Sequence, residues 1–152
     1  ARPSQEATDA YDLEVVQAIR YKDLDKLREM LNEGKSFNAC NRFGESLIHM
    51  VCRRGDIRIA NFLIKEAGVD VDVRDDFGRT PLHDACWTSK PNLEIMDLLL
   101  DCVTPDMLLA EDVRGHTPFN YARKEHYEKW CHYLSEKEED LQRRITAYGA
   151  MR

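Results

Sequence analysis

Apolar residues recur along this chain at helical spacing, in short blocks separated by polar turns. Leu13, Val16 and Ile19 stand three apart and predict a first helix, and Leu24, Leu27, Met30 and Leu31 predict a second, joined to it at Lys22-Asp23. Gly34 follows where a helix closes in the left-handed region. A second pair begins at Ser46, a capping residue, with Leu47, Ile48, Val51 and Cys52 inward; Gly55-Asp56 turns the chain, and Ile59, Phe62 and Leu63 carry the partner helix to Gly68. A third begins with Thr80 as N-cap and Pro81 at the first helical position, where its missing N–H leaves nothing unpaired. Its second helix is Leu93 to Leu100. A fourth block, His126, Tyr127, Trp130, Tyr133 and Leu134, is aromatic and half polar. Beyond it Leu141, Ile145 and Tyr148 punctuate a charged stretch at spacings that fit an amphipathic helix as well as a solvated tail.

The blocks are copies of one unit. The phrase Asp75-Asp76-Phe77-Gly78-Arg79-Thr80-Pro81-Leu82-His83-Asp84-Ala85 has a looser copy from Asn41 (Asn-Arg-Phe-Gly-Glu-Ser-Leu-Ile-His-Met-Val) and another from Asp112 (Asp-Val-Arg-Gly-His-Thr-Pro-Phe-Asn-Tyr-Ala). The glycines at 44, 78 and 115 are 34 and 37 residues apart. A period near 33 with Thr-Pro-Leu-His and a following Ala resembles the ankyrin repeat. The resemblance implies an all-α solenoid of stacked helix-turn-helix units with β-hairpin loops. It covers residues 12–134, in repeats of about 12–40, 41–74, 75–111 and 112–134. The first and last are read as caps, because solenoid ends need a polar outer face. The added length of the third repeat falls in Trp87 to Asn92 and after Leu100, where Asp106-Met107-Leu108-Leu109 offers a short helical turn. Residues 1–11 are small and polar and are expected to be a disordered leader, and 135–152 a charged tail with the capacity to form a helix.

Composition narrows the setting. With 43% hydrophobic and 33% charged residues the chain suits a soluble domain. No apolar run approaches the roughly 18–20 residues of a membrane span. Five cysteines without disulfide-type spacing point to the cytosol or nucleus. The start, Ala-Arg-Pro-Ser without Met, is that expected of a piece of a longer protein. A net charge of −6 disfavours general nucleic-acid binding.

No catalytic, cofactor or metal residue is expected. His49 and Cys52, and His83 and Cys86, share helix faces at i, i+3, a metal-like pattern. The resemblance implies another role for each histidine, bonding between the Ser or Thr hydroxyl and the next repeat's backbone, while each Cys fills a small apolar position. Gly-x-Ser-x-Gly elbows and phosphate loops are missing from the sequence. Asn38 is expected to be a turn former rather than a modification site.

The family binds other proteins with hairpin tips and the exposed ends of first helices, lining a concave face. Carried over by register, those positions are Arg20 and Tyr21 in repeat one; Arg42, Phe43, Glu45, Arg53 and Arg54 in repeat two; Arg74, Asp76, Phe77, Arg79, Trp87 and Thr88 in repeat three; and Glu111, Val113, Arg114, His116, Lys124 and Glu125 in repeat four. Basic residues outnumber acidic ones eight to four among them, on a chain that is acidic overall. Arg beside Tyr, Phe and Trp is the composition of interface hot spots. The expectation is a monomeric, non-catalytic module that binds a protein or peptide segment, acidic or phosphorylated, on this basic-aromatic face. A plainer arrangement has Phe43 and Phe77 packing on each other while the arginines pair with Glu45 and Asp76. The same Arg-rich face could instead take a nucleic acid, and the C-terminal helix could pair with a copy of itself and make an oligomer. The acidic tail could also fold back and occlude the face.

Overall fold

The computed structural model describes residues 2–151, apart from the side chains of Tyr148, Ala150 and Met151. Helices α1 (Gln5–Ala10), α2 (Leu13–Arg20), α3 (Leu24–Asn32), α4 (Leu47–Arg54), α5 (Ile57–Asn61, continued by a π turn over Phe62–Glu66), α6 (Pro81–Cys86), α7 (Leu93–Leu100), α8 (Pro105–Leu108) and α9 (Tyr127–Met151) follow one another, with 3-10 turns at Pro118–Tyr121 and Lys124–His126. They stack as helix pairs: α2 on α3, α4 on α5, α6 on α7, with α4 against α6, α6 against Pro118–Tyr121, and α5 against α7. The shared core includes Leu27, Leu47, Ile48, Ile59, Phe62, Leu63, Leu82, Ile95, Met96 and Leu99, all fully buried. Phe37 meets Phe62 edge to face at 5.3 Å.

Caps set the helix starts. Ser46 and Thr80 each accept the backbone N–H three residues on, from His49 and His83. Each histidine Nδ1 in turn accepts the cap's own N–H, at 3.1 and 3.0 Å. That leaves Nε2 protonated, and it donates to the next repeat: His49 to the Arg79 carbonyl at 2.7 Å, His83 to the His116 carbonyl at 2.9 Å. Both ring nitrogens are therefore engaged in joining repeats. Burial pushes both imidazoles below their ordinary value, which keeps them neutral.

The loops between repeats are tight turns rather than strands; an isolated bridge pairs Cys40 with Ser46. Each closes on itself, through Asn41 N–H to Glu45, Asp75 N–H to Arg79 and Asp112 N–H to His116. Successive tips are laddered by Asp76 N–H to the Phe43 carbonyl at 2.8 Å and Val113 N–H to the Phe77 carbonyl at 2.9 Å. The close stacking explains the glycines. Gly78 has φ +74°, and a Cβ there would lie 3.4 Å from the Asp112 Cα; at Gly44, with φ +75°, the gap to the Asp75 Cα is 3.2 Å. Gly78→Val is expected to cost about 1–3 kcal/mol from left-handed strain alone, read as a lower urea midpoint; an unchanged midpoint would mean the tip has room the geometry denies.

Two expectations are corrected. The leader, expected to be disordered over 1–11, carries a helix within its described part: Ser4 caps α1, and the Ala7 carbonyl accepts the Cys40 N–H at 3.1 Å, so α1 covers the end of the turn stack; Ala1 lies outside the described residues. Repeat four has no full first helix, only the 3-10 turn Pro118–Tyr121. The tail, left open between a helix and a solvated stretch, is helical: the second helix of repeat four continues past 134 as one 25-residue helix, α9. The tail also lies away from the concave face. Tyr133 donates to Asp97 at 2.6 Å, Lys137 pairs with Asp97 at 3.2 Å, and Arg144 donates to the Val103 carbonyl at 3.2 Å. Leu141 packs beside Leu100, Val103 and Leu108, so the described part of the tail docks on the third repeat and does not cover the face. The apolar stripe expected to drive oligomerisation is partly used up within the chain; Ile145 stays exposed, and the Tyr148 side chain lies outside the described residues.

Candidate functional site

The register assembles the concave face in columns. The residue after each turn glycine gives Glu45, Arg79 and His116; the residue after each His or Asn gives Met50, Asp84 and Tyr121; the position four beyond that His or Asn gives Arg53, Trp87 and Lys124. The outer tips hold Phe43 and Phe77, about half exposed. They do not pack on one another. Each carries a guanidinium over its ring instead, Arg42 on Phe43 at 4.8 Å and Arg79 on Phe77 at 4.9 Å.

Several arginines expected to face a partner are already engaged. Arg74 donates one terminal nitrogen to the Gly78 and Glu111 carbonyls, both at 3.1 Å, and so braces one turn against the next. Arg79 Nε donates to Asp75 at 3.0 Å, not to Asp76, because Asp75 already accepts the Phe77 and Arg79 N–H groups and sits inside the turn. Arg53 contacts Glu45 closely and lies 3.6 Å from Asp84. Arg20, Tyr21, Arg54 and Arg114 are exposed, with Tyr21 at the rim of repeat one.

Asp84 is the residue that sequence reasoning missed. Its side chain is 2% exposed, and one carboxylate oxygen accepts no hydrogen bond. Burial drives its pKa up to about 7 against the opposing pull of Arg53 and Arg79. Tyr121 and Asp112 were missed as well. Burial raises the Asp112 carboxyl, but hydrogen bonds from the Tyr121 hydroxyl and the His116 and Arg114 N–H groups outweigh it and hold the value at about 2. Burial and the same carboxylate push the Tyr121 hydroxyl up to about 12. Aligned columns place Asp84 and Tyr121 at one variable position of the repeat, and only packing shows that Asp84 is buried and that Tyr121 bonds to Asp112.

The two halves of the face differ. Around repeats one and two, Tyr11 is half-buried within reach of the charges of Glu45, Arg20 and Arg53, and the leader flanks the Arg42 tip. Around repeats three and four, Phe77, Arg79, Trp87 and Arg114 converge with Tyr121 on a hollow of about 200 Å³. His116 stands behind it, its ring 5.5 Å from Tyr121, and Trp87 meets the same ring at 6.0 Å.

A family model described as ankyrin repeats (3 copies) matches residues 15–107. Among curated proteins the chain is 34% identical over 78 residues to the SMC5-SMC6 complex localization factor protein 1 of Mus musculus, covering 51% of this chain and 7% of that protein. It is 31% identical over 98 residues to NF-kappa-B inhibitor alpha of Gallus gallus, 64% of this chain and 30% of that protein. It is also 32% identical over 71 residues to putative glutaminase 2 of Caenorhabditis elegans, 47% of this chain and 12% of that protein. The chain thus spans less than a third of the length of each of these relatives.

Proposed function

This chain belongs to the ankyrin-repeat family, and on that premise we propose that it is a non-catalytic module that binds a segment of another protein on the open half of its concave face. The observation that carries this is the pair Phe77 and Trp87, 52% and 44% exposed, turned onto one hollow beside arginines. Apolar area of that size on a rim of charge is a feature of binding surfaces. An acidic segment suits the face, since Arg42, Arg54 and Arg114 have no carboxylate within ion-pairing distance among the described residues. A nucleic acid suits it less, because Asp75 and Asp84 beside Arg79 and Arg53 reduce the positive excess that polyanion binding needs. No helix among the described residues is long and apolar enough to cross a membrane. Buried thiols at Cys52 and Cys86 fit a reducing compartment, cytosol or nucleus.

Random peptides displayed on phage and selected against the domain test this reading. Selected peptides are expected to be rich in Asp or Glu beside bulky apolar residues. A Phe77→Ala, Trp87→Ala variant with an unchanged circular dichroism spectrum should bind them about 30-fold or more weakly, the effect of losing a hot spot. Peptides that bind the variant equally would move the site off the face.

A further inference from the structure

We propose that the hollow between the third and fourth repeats is an anchor subsite for a partner residue pair in which a bulky apolar side chain stands next to a carboxylate. The proposal rests on the concave-face reading above and gives it one address and one chemistry.

Size comes first. The hollow holds about 200 Å³, below the roughly 300–1,000 Å³ of sites that enclose a small molecule. It is matched to a single inserted side chain. Phe77, Trp87, Val113 and Tyr121 provide apolar wall, with Arg79 and Arg114 at the rim. The floor is rigid: the Tyr121 hydroxyl donates to Asp112, and its ring stands edge to face with His83 at 5.7 Å and His116 at 5.5 Å. A fixed ring adds contact without the entropy of ordering it on binding.

The polar groups decide the sign of the ligand. Aromatic walls alone would suit a cation. Yet the carboxylates here are already engaged. One Asp112 oxygen accepts the Arg114 and His116 N–H groups at 2.9 and 3.0 Å, and the other accepts from Tyr121. One Asp75 oxygen accepts two backbone N–H groups, and the other accepts Arg79 Nε. By contrast, the terminal nitrogens of Arg79 and the whole Arg114 guanidinium have no acceptor among the described residues. The rim offers donors and no open acceptor, and a carboxylate beside the inserted side chain completes it with charge-assisted hydrogen bonds.

The test uses the intact chain carrying 5-fluorotryptophan at its two tryptophans, since Trp87 lines the hollow and Trp130 is buried elsewhere. Fluorine NMR follows titration with N-acetylphenylalanine, its neutral amide, and phenethyltrimethylammonium. The carboxylate is expected to shift the Trp87 signal saturably and leave Trp130 in place, with the amide about tenfold weaker. Arg114→Gln should lower the carboxylate's affinity to that of the amide while keeping the melting temperature. Equal binding of acid and amide, tighter binding of the ammonium, or no shift of Trp87 by any probe overturns the proposal. Phage-selected peptides, added to the same chain labelled also with nitrogen-15, separate the two failures. If they move backbone signals of residues 42–54 and not Trp87, the subsite falls and the face stands. If they move neither, both fall.

Discussion

Asp84→Asn is expected to make the protein more stable at pH 8, by about 2–4 kcal/mol, because the charge it removes is held in a place that disfavours charge. The Asp84 carboxyl moves from an ordinary 3.8 to about 7 on folding, a shift that corresponds to ~4 kcal/mol. The sign follows from proton counting. Between about 4 and 7 the folded state holds a proton at Asp84 that the unfolded chain has released, so stability falls as pH rises through that window, and above 7 the full cost is present. The advantage of the Asn variant should therefore be largest above pH 7 and shrink towards nothing near pH 4. His49 and His83 act in the opposite sense: their neutral buried rings lose stability as pH falls below 6.5, where the unfolded imidazoles take up protons. They are common to both proteins and cancel in the difference. Urea unfolding of the pair across this range checks it, and a difference that stays flat with pH would remove Asp84 from the account. A carboxylate kept at such a cost on the floor of the proposed binding face, holding Arg53 between itself and Glu45, is the kind of local inconsistency that function tends to explain.

The framework was legible because it is written twice, in residue types and in spacing. Ser46, Thr80, Pro81, His49 and His83 each have a local geometric task that few other residues perform, and the 34-residue step sets the stack. The charges were harder to read. Which of Asp75 and Asp76 meets Arg79 depends on which one turns into the hairpin, and the sequence offers two adjacent carboxylates with no mark between them. Asp84 hid for the opposite reason: the position after the histidine holds Met50 in one repeat and Tyr121 in another, so no residue type is expected there, and only packing shows that it is buried. The leader lacks an apolar stripe, and its helix depends on the Ser4 cap and docking against Cys40. The tail was ambiguous because a seven-residue step from Leu134 to Leu141 fits a solvated helix as well as a docked one, and the deciding partners, Asp97 and Val103, come from another repeat.

Leu82→Ala is expected to cost about 2–5 kcal/mol, from the lost burial and the cavity left behind. Leu82 is fully buried in α6, which packs between α4 and the Pro118–Tyr121 turn. The cavity would open where repeats two, three and four meet. Total stabilities of about 5–15 kcal/mol leave little margin for such a loss. The consequences should spread because the joints on either side of α6 are shared: His49 bonds to the Arg79 carbonyl and His83 to the His116 carbonyl, so loosening α6 weakens both neighbours. In a linear stack stability is close to a sum of repeat and interface terms, and the middle repeat contributes to two interfaces. Leu13→Ala is the control, since Leu13 is 70% exposed at the first turn of α2 and should change stability by under about 0.5 kcal/mol. Denaturant unfolding of both variants, followed by circular dichroism, measures this. A single transition at a much lower midpoint for Leu82→Ala with unchanged slope would show the four units unfolding together. A split into two transitions would show that repeats one and two, sealed by α1, survive the loss of the third. A midpoint equal to that of Leu13→Ala would mean that the stack does not depend on this packing at all.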